Sequence, residues 1–367
     1  MIMEHFLNNE YISIDIGFKN IKVVEVSVNK NSEVYLKNFG IASTPSCCIK
    51  NGVITNVNGV TKEIRKIIDE SRMKVKKAKI VMSGTSIISR VFMVNRISGH
   101  ETDEVVKEAI LQNMPINVDE YKIDYKILQE ITEGDINRVK VFVTAVRKNI
   151  IKSYVDTLIG LDLKPISIDI PANSIAKFFN REIKINRNEL WYERQKYGEL
   201  NQKVFAVIDF GSETTIVNIL RYKILEFNKV ILKGSSNIDE LITKKLMRNL
   251  MISESLKKQY GITIPDMNAS QEHEEVYPII KNFIDQLIHH IYQCFNYYEM
   301  RCYGTKIGKV YIIGGGSLLK NLSKYLEDSI KIPVYPVGLL SIDGISVNGT
   351  LNEEKLNYLI NCIGIAL

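Results

Sequence analysis

Asp15 and Asp209 each close an apolar run and each stand two residues before a glycine, in Tyr11-Ile-Ser-Ile-Asp15-Ile-Gly17 and Phe205-Ala-Val-Ile-Asp209-Phe-Gly211. A carboxylate cannot touch a phosphate without repulsion, but it can hold a hydrated Mg²⁺ that does. Glycine lets the backbone turn tightly and bring bare N–H groups up to phosphate oxygens. A third glycine turn, Gly314-Gly315-Gly316-Ser317, follows the apolar run Val310-Tyr-Ile-Ile and leads into a helical stretch. Taken singly, each is ordinary turn or helix-entry chemistry. In this order within one chain, they describe a duplicated strand–turn–strand unit able to close on a nucleotide from both sides.

The elements that must position these turns can be read from the apolar spacing. Residues 11–28 read as strand, turn and strand, and 33–43 continue the sheet. A helix over 59–71 carries Val60, Ile64, Ile67 and Ile68 at helical spacing, and 79–82 is a short buried strand. The texture changes at 85. A strand over 87–94 precedes a helix opened by Ser98 and Glu101, which buries Val105, Val106, Ala109 and Ile110 and is ended by Pro115. Strands over 121–130 and 138–146, separated by Glu133-Gly134-Asp135, and a helix over 148–159 complete a compact α/β insert. A strand over 163–170 and a helix over 171–179 follow. The charged stretch 181–202, with the single tryptophan Trp191, reads as a linker. In the second half, helices are expected over 237–250 and 254–260. A long one over 276–302 has Ile280, Phe283, Ile284, Leu287, Ile291 and Phe295 on one side. The chain ends in a helix with Leu356, Leu359, Ile360 and Ile363.

Composition excludes several classes. At 367 residues the chain is long for one core, so two or more domains are expected. Net charge is +6, from 48 Lys and Arg against 42 Asp and Glu, with no basic arm or aromatic-interleaved stripe, so no nucleic-acid partner is implied. The five cysteines, Cys47, Cys48, Cys294, Cys302 and Cys362, lack metal-ligand spacing and read as free thiols. His289 and His290 are neighbours on a helix and project apart, unlike an i, i+4 ligand pair. No long apolar core opens the chain and no run is long enough to span a bilayer, so a soluble cytoplasmic protein is expected.

The order of the three turns resembles the actin-like ATPase superfamily of actin, sugar kinases, the seventy-kilodalton chaperones and FtsA. The insert resembles that of the PilM family, cytoplasmic actin-like proteins of type IV pilus assembly. The patterns carrying this are Arg90 in the strand after Gly84-Thr-Ser, Met114-Pro115-Ile116, and Asp124-Tyr125-Lys-Ile-Leu128. They continue in Val143-Thr-Ala-Val-Arg147-Lys, Tyr154, Gly160-Leu-Asp-Leu-Lys-Pro165 and Ile168-Asp169. The fold implied is α/β, an actin-like (ribonuclease H-like) two-domain ATPase fold with an inserted α/β subdomain of the FtsA/PilM type. Residues 9–84 and 163–200 would form the first actin-like domain and 85–162 the insert. The second domain would take 201–232 and 308–367, and 233–307 would form a mostly helical subdomain.

The resemblance implies ATP or ADP with Mg²⁺ as cofactor. It places Asp15, Gly17, Lys19, Asn20 and Lys22 on one side of the phosphates, and Asp209, Gly211, Ser212, Glu213, Thr214 and Thr215 on the other. Gly234 joins the second set, and Asp15 and Asp209 hold the metal through water. Glu254 would accept from ribose hydroxyls and Lys257 would flank the base, while Gly314, Gly315 and Gly316 approach the adenine and Ser317 caps the following helix. The partner implied is the N-terminal cytoplasmic tail of a PilN-like bitopic membrane protein, with Arg90, Pro115, Ile116 and Tyr125 as wall residues of its groove. Other pilus platform and motor components, and self-association, belong to the same reading. The protein is expected at the inner face of the cell membrane without inserting into it. Phe18 stands where relatives carry a small hydroxyl residue, Gly234-Ser235 where a paired glycine is common, and Asp169-Ile-Pro-Ala-Asn173 offers only Asp169 or Asn173 to orient a water. Binding is therefore expected over turnover. The alternatives are an FtsA-like polymerising or division protein, whose relatives carry a membrane helix beyond the core helix that ends here at Leu367, and a sugar kinase, which has no use for the insert.

Overall fold

The computed structural model describes residues 9–29, 33–96, 102–114, 116–117, 119–133, 136–181, 183–185, 204–342, 345–347 and 353–367. Trp191, Pro115, the Ser98–Glu101 helix entry and the Gly134-Asp135 turn lie outside them. The chain opens on an antiparallel meander, β1 (Asn9–Ile16), β2 (Asn20–Val28) and β3 (Val34–Ser43). The small pair β4 (Ile49–Lys50) and β5 (Val53–Ile54) leads to α1 (Val57–Glu70), whose first turn is capped by the Asn56 side chain accepting from the Gly59 N–H at 2.9 Å. Strand β6 (Lys77–Val81) then lies parallel to β1. Every residue from Ile12 to Ile16 is buried, because helices cover both faces of this sheet.

The insert forms its own layer. Strands β7 (Ile88–Asn95), β8 (Tyr121–Glu133) and β9 (Ile136–Arg147) make an antiparallel sheet in the order β7-β9-β8, with α2 (Thr102–Asn113) packed on it. Val106, Ile110, Met114, Val139, Val141, Val143 and Ala145 form a core separate from the rest. Helix α3 (Lys148–Gly160) returns the chain along α1 to β10 (Lys164–Asp169), which pairs parallel to β6, and α4 (Pro171–Phe179) starts with proline at its first position. A short β11 (Ile183–Ile185) follows.

The second half repeats the first. A meander of β12 (Val204–Phe210), β13 (Thr215–Arg221) and β14 (Ile224–Ile231) precedes α5 (Ser235–Leu246), α6 (Leu250–Tyr260) and the long α7 (Gln271–Arg301). Helix α5 stops short of the expected Leu250 because Met247 takes a left-handed conformation and the Asn249 side chain caps α6, accepting from Ile252 N–H. Helix α7 begins earlier than expected because Ser270 caps it. Strand β15 (Lys309–Ile313) lies parallel to β12, and α8 (Leu322–Ile330), β16 (Val334–Pro336), β17 (Leu340–Ile342), β18 (Ile345–Val347) and α9 (Glu353–Ala366) complete the chain. The two main sheets have the same order. One runs β3-β2-β1-β6-β10, extended by β18 beside β3, and the other runs β14-β13-β12-β15-β16.

Helices α4 and α9 hold the two lobes together. Leu359, Ile360, Cys362, Ile363 and Ala366 pack into the first lobe's core although they lie within 308–367. A Cβ on Gly364 would stand 2.0 Å from the Ser174 carbonyl oxygen, so these helices cross at a distance only glycine permits. On the other side of α4, the Phe179 ring meets Phe205 at 5.9 Å and Tyr311 at 5.1 Å, tying the first lobe to the back of the second sheet.

Candidate functional site

The repeat brings Asp15 and Asp209 to equivalent places. Each is the penultimate residue of the first meander strand, and each pairs with the last residue of the adjacent parallel strand, Val81 for Asp15 and Ile313 for Asp209. Each turn is closed the same way, by Gly17 N–H donating to the Asn20 carbonyl at 3.0 Å and Gly211 N–H to the Thr214 carbonyl at 2.9 Å. Both turns open onto one cavity of about 740 Å³ between the lobes.

Asp15, Gly17, Lys19, Asn20 and Lys22 line the cavity from the first lobe, together with Phe18. Asp209, Gly211, Ser212 and Thr214 line it from the second, Gly314, Gly315 and Gly316 from the end of β15, and Glu254 and Lys257 from α6. Four expected residues are not part of this lining. Thr215 is fully buried, with its hydroxyl donating to the Lys233 carbonyl at 2.7 Å. Gly234 lets α5 start against the second turn, since a Cβ there would lie 2.2 Å from the Ser212 carbonyl oxygen. Glu213 lies outside the lining, with burial and then Glu240 raising its pKa. Ser317 caps no helix. The glycine run enters a short 3₁₀ turn over Gly315–Leu318, and the Ser317 hydroxyl donates to Gly314 at 2.7 Å within it.

The glycine run is needed for close approach. Gly314 has φ 83°, and a Cβ there would stand 2.4 Å from Asp209 Oδ1; one on Gly316 would meet the Phe210 ring at 2.6 Å. Its counterpart in the first lobe, Ser83-Gly84 after β6, also lines the cavity. Beyond Gly84's part in the insert pattern, the sequence signal for this pair as cavity lining is its place directly after an apolar strand. Ser89, Asn228, Tyr358 and Asn361 complete unforeseen parts of the lining.

The electrostatics centre on one lysine between two carboxylates. Lys22 Nζ donates to Asp15 Oδ2 at 3.0 Å. Burial would lower the lysine's pKa, but Asp15, supported by Asp209, raises it. Asp15 Oδ1 is buried with no partner. Burial, then the negative charge of Asp15, push Asp209 up to about 6 against the pull of Lys22 and a hydrogen bond from Asn361. Asp15 and Asp209 thus share Lys22 between them, while Lys19, Lys257, Lys258 and Lys320 also line the cavity.

On the rim, Lys19 reaches across the cleft to Glu254 at 2.7 Å, and Lys258 meets the same carboxylate at 2.7 Å. Burial works against Glu254's charge, yet these two lysines hold its pKa down at about 2. Lys257 is buried and donates to Asp239 at 2.8 Å and to the Ser235 carbonyl at 2.9 Å, so it braces α6 against α5 as well as lining the cavity. Asp169 is occupied by Lys177, Asn173 and its neighbour's backbone N–H and does not line the cavity.

Within the insert, Arg90 donates to the Asn113 carbonyl at 2.9 Å and closes the end of α2. The Tyr125 hydroxyl donates to Asp103 on α2, and Ile116 packs against the insert's core. Among the described residues no group of three His, Cys, Asp or Glu side chains could hold a metal, and no helix is long and apolar enough to cross a membrane. All five cysteines are free.

A family model described as type IV pilus assembly protein PilM matches residues 13–367. Among solved structures, the chain is similar to a PilM–PilN type IV pilus biogenesis complex, with a TM-score of 0.77 and 22% identity, covering 98% of this chain and 98% of that one. It also shares its fold with the ethanolamine utilization protein EutJ of Carboxydothermus hydrogenoformans, at a TM-score of 0.54 and 11% identity, covering 98% of this chain and 89% of that one. Among curated proteins it is 19% identical over 358 residues to the cell division protein FtsA of Streptococcus pneumoniae serotype 2, covering 89% of this chain and 75% of the relative. The duplicated five-strand sheets, the insert with its separate core and these likenesses define the actin-like fold. With a model spanning residues 13–367, the chain belongs to the family of type IV pilus assembly protein PilM.

Proposed function

We propose that the protein is a nucleotide-binding scaffold of the type IV pilus inner-membrane platform. The observation that carries the nucleotide reading is the pair of equivalent carboxylates, Asp15 and Asp209, at two glycine turns facing one cavity, with Asp15 Oδ1 buried and unpartnered. That orphaned oxygen and a carboxylate held up at about 6 fit a site completed by a cation. Mg²⁺ shares its ligands with water and phosphate and does not need an all-protein cage. Asp15 and Asp209 would hold it through water, the Gly17 and Gly211 turns would present N–H groups to phosphate, and Lys22 would stay on Asp15. Glu254 would exchange Lys19 for ribose hydroxyls, leaving Lys19 to the phosphates. A hydrated Mg²⁺ supplies charge neutralisation between phosphates and carboxylates.

Asp15→Ala or Asp209→Ala should abolish Mg²⁺-dependent ATP binding in calorimetry with the fold retained. Undiminished affinity in both variants removes this reading. Turnover should fall far below the enzyme median of about 10 s⁻¹, because Asp169 is already engaged and Phe18 offers no donor. A rate near that median in a phosphate-release assay would show that a water-orienting group had been overlooked.

Family membership and the fold shared with a PilM–PilN complex support a PilN-like partner for this chain. Its N-terminal cytoplasmic tail would lie as an extended segment along a groove between the insert and the first lobe, walled by Arg90, Pro115, Ile116 and Tyr125. Ordering a short tail costs free energy, so micromolar affinity is expected. Such a tail would recruit the protein to the inner face of the membrane.

A further inference from the structure

The hairpin of α5 and α6 ends in an elbow that the nucleotide and tail readings leave unused. Met247 is 89% exposed, Met251 82%, Leu250 57% and Ile252 42%, so four large apolar side chains within six residues face solvent. They are not displaced core residues, because the same helices bury Ile238, Ile242 and Leu256 on their other face. Lys244, Lys245 and Arg248 are exposed around them. Residues 241–253 contain no Asp or Glu, and Arg248 stands 4.0 Å from Glu272 on α7.

We propose that this elbow is a shallow docking point for an anionic lipid surface. The charge pattern selects the occupant. Apolar tips inside a basic collar match the layering of a bilayer interface, where methionine and leucine reach the acyl boundary and lysine and arginine stay at the level of the phosphates. Shape points the same way. The chain reverses at Met247, whose φ is 52°, so the apolar side chains stand on a convex tip. A stable protein partner would need about 800 Å² of complementary surface on each side, whereas a bilayer closes around a small convex wedge without a preformed match. The contact is peripheral, and nothing in the elbow is long enough to span.

The tip is held in place before it meets lipid. Asn249 caps α6, Thr243 and Ser253 hydroxyls meet at 2.8 Å, and Lys257 ties α6 to Asp239 on α5. At its other end the hairpin reaches the cavity through Ser235, Glu254 and Lys257. The lipid contact stands on the elbow's own residues and does not depend on nucleotide binding.

The test is cosedimentation of the full chain with vesicles of phosphatidylglycerol and phosphatidylcholine, against phosphatidylcholine alone. Binding is expected only with the anionic lipid, weakening as salt rises. Met247→Ser/Met251→Ser and Lys244→Gln/Lys245→Gln/Arg248→Gln should each reduce it at least about tenfold, with unchanged thermal midpoints because every altered side chain is exposed. Equal binding to both vesicle types, no binding, or wild-type binding by both variants overturns the proposal. Loss of self-association in light scattering, with no vesicle binding by the parent chain, would instead make the elbow a contact between copies and also overturn it.

Discussion

Lys22 and Ile216 occupy the same register position in the two halves, opposite Asp15 and Asp209 respectively. The first carboxylate therefore has a cation across the strand pair and the second has an isoleucine. Asp209 has its folded pKa raised from 3.8 to about 6. Its favourable contribution to folding is present below the unfolded value and is lost as pH rises through about 6, so without nucleotide its charge opposes folding at neutral pH. The rise corresponds to an upper limit of about 3 kcal/mol, reduced by the carboxylate's partial access to the cleft. Asp209→Asn should accordingly raise the melting temperature of the nucleotide-free protein at about pH 7.5 and change it little at about pH 4, while losing Mg²⁺-ATP. Thermal unfolding at the two pH values checks this, and a variant less stable than the parent at the higher pH contradicts it. At this scale the two Asp-x-Gly turns were legible because both the residues and the strand ends are local. That Glu254 would be met by Lys19 was not, since the pair joins two lobes.

At the scale of elements, periodicity located nearly every helix, and α4 falls on the expected residues because Pro171 fixes its first turn. What periodicity could not give was the core each helix serves. Helix α9 carries an apolar face legible in Leu359, Ile360 and Ile363, yet it packs on α4 and the first sheet, and the pairing depends on Gly364 meeting the Ser174 backbone. Gly364 has no turn signature, so nothing in its immediate neighbours revealed the role. Because a carbonyl oxygen cannot rotate aside as a side chain can, Gly364→Val should force the helices apart and destabilise the protein by about 1–3 kcal/mol or more. The same shift would move α9's Asn361 relative to Asp209, weakening nucleotide binding as well. A melting curve and a nucleotide titration test both effects, and a variant with parent-like stability would show that the crossing is wider in solution.

At the scale of the molecule, the insert does more than extend from the first lobe. Lys140 on β9 meets Glu226 on β14 at 2.5 Å with both side chains largely buried, and Tyr298 on α7 donates to the same carboxylate at 2.6 Å. Beside them Ser89 donates to Asn228 at 2.6 Å, and both residues line the cavity. The insert is therefore clasped to the second lobe across the cleft mouth, so any closing of the cleft and the position of the insert are mechanically joined. Removing one member of a buried ion pair typically costs about 3–5 kcal/mol, which is enough to free the insert without unfolding the cores of either lobe. If the tail of a PilN-like partner binds along the insert, its affinity should depend on nucleotide in the parent chain through this clasp. Lys140→Met, which leaves the Tyr298–Glu226 bond in place, should keep Mg²⁺-ATP binding within a few-fold while making tail-peptide affinity the same with and without nucleotide. Calorimetric titration of the peptide in both conditions decides it. A nucleotide effect of equal size in parent and variant would mean that coupling runs through α4 and α9 at the back of the cleft instead.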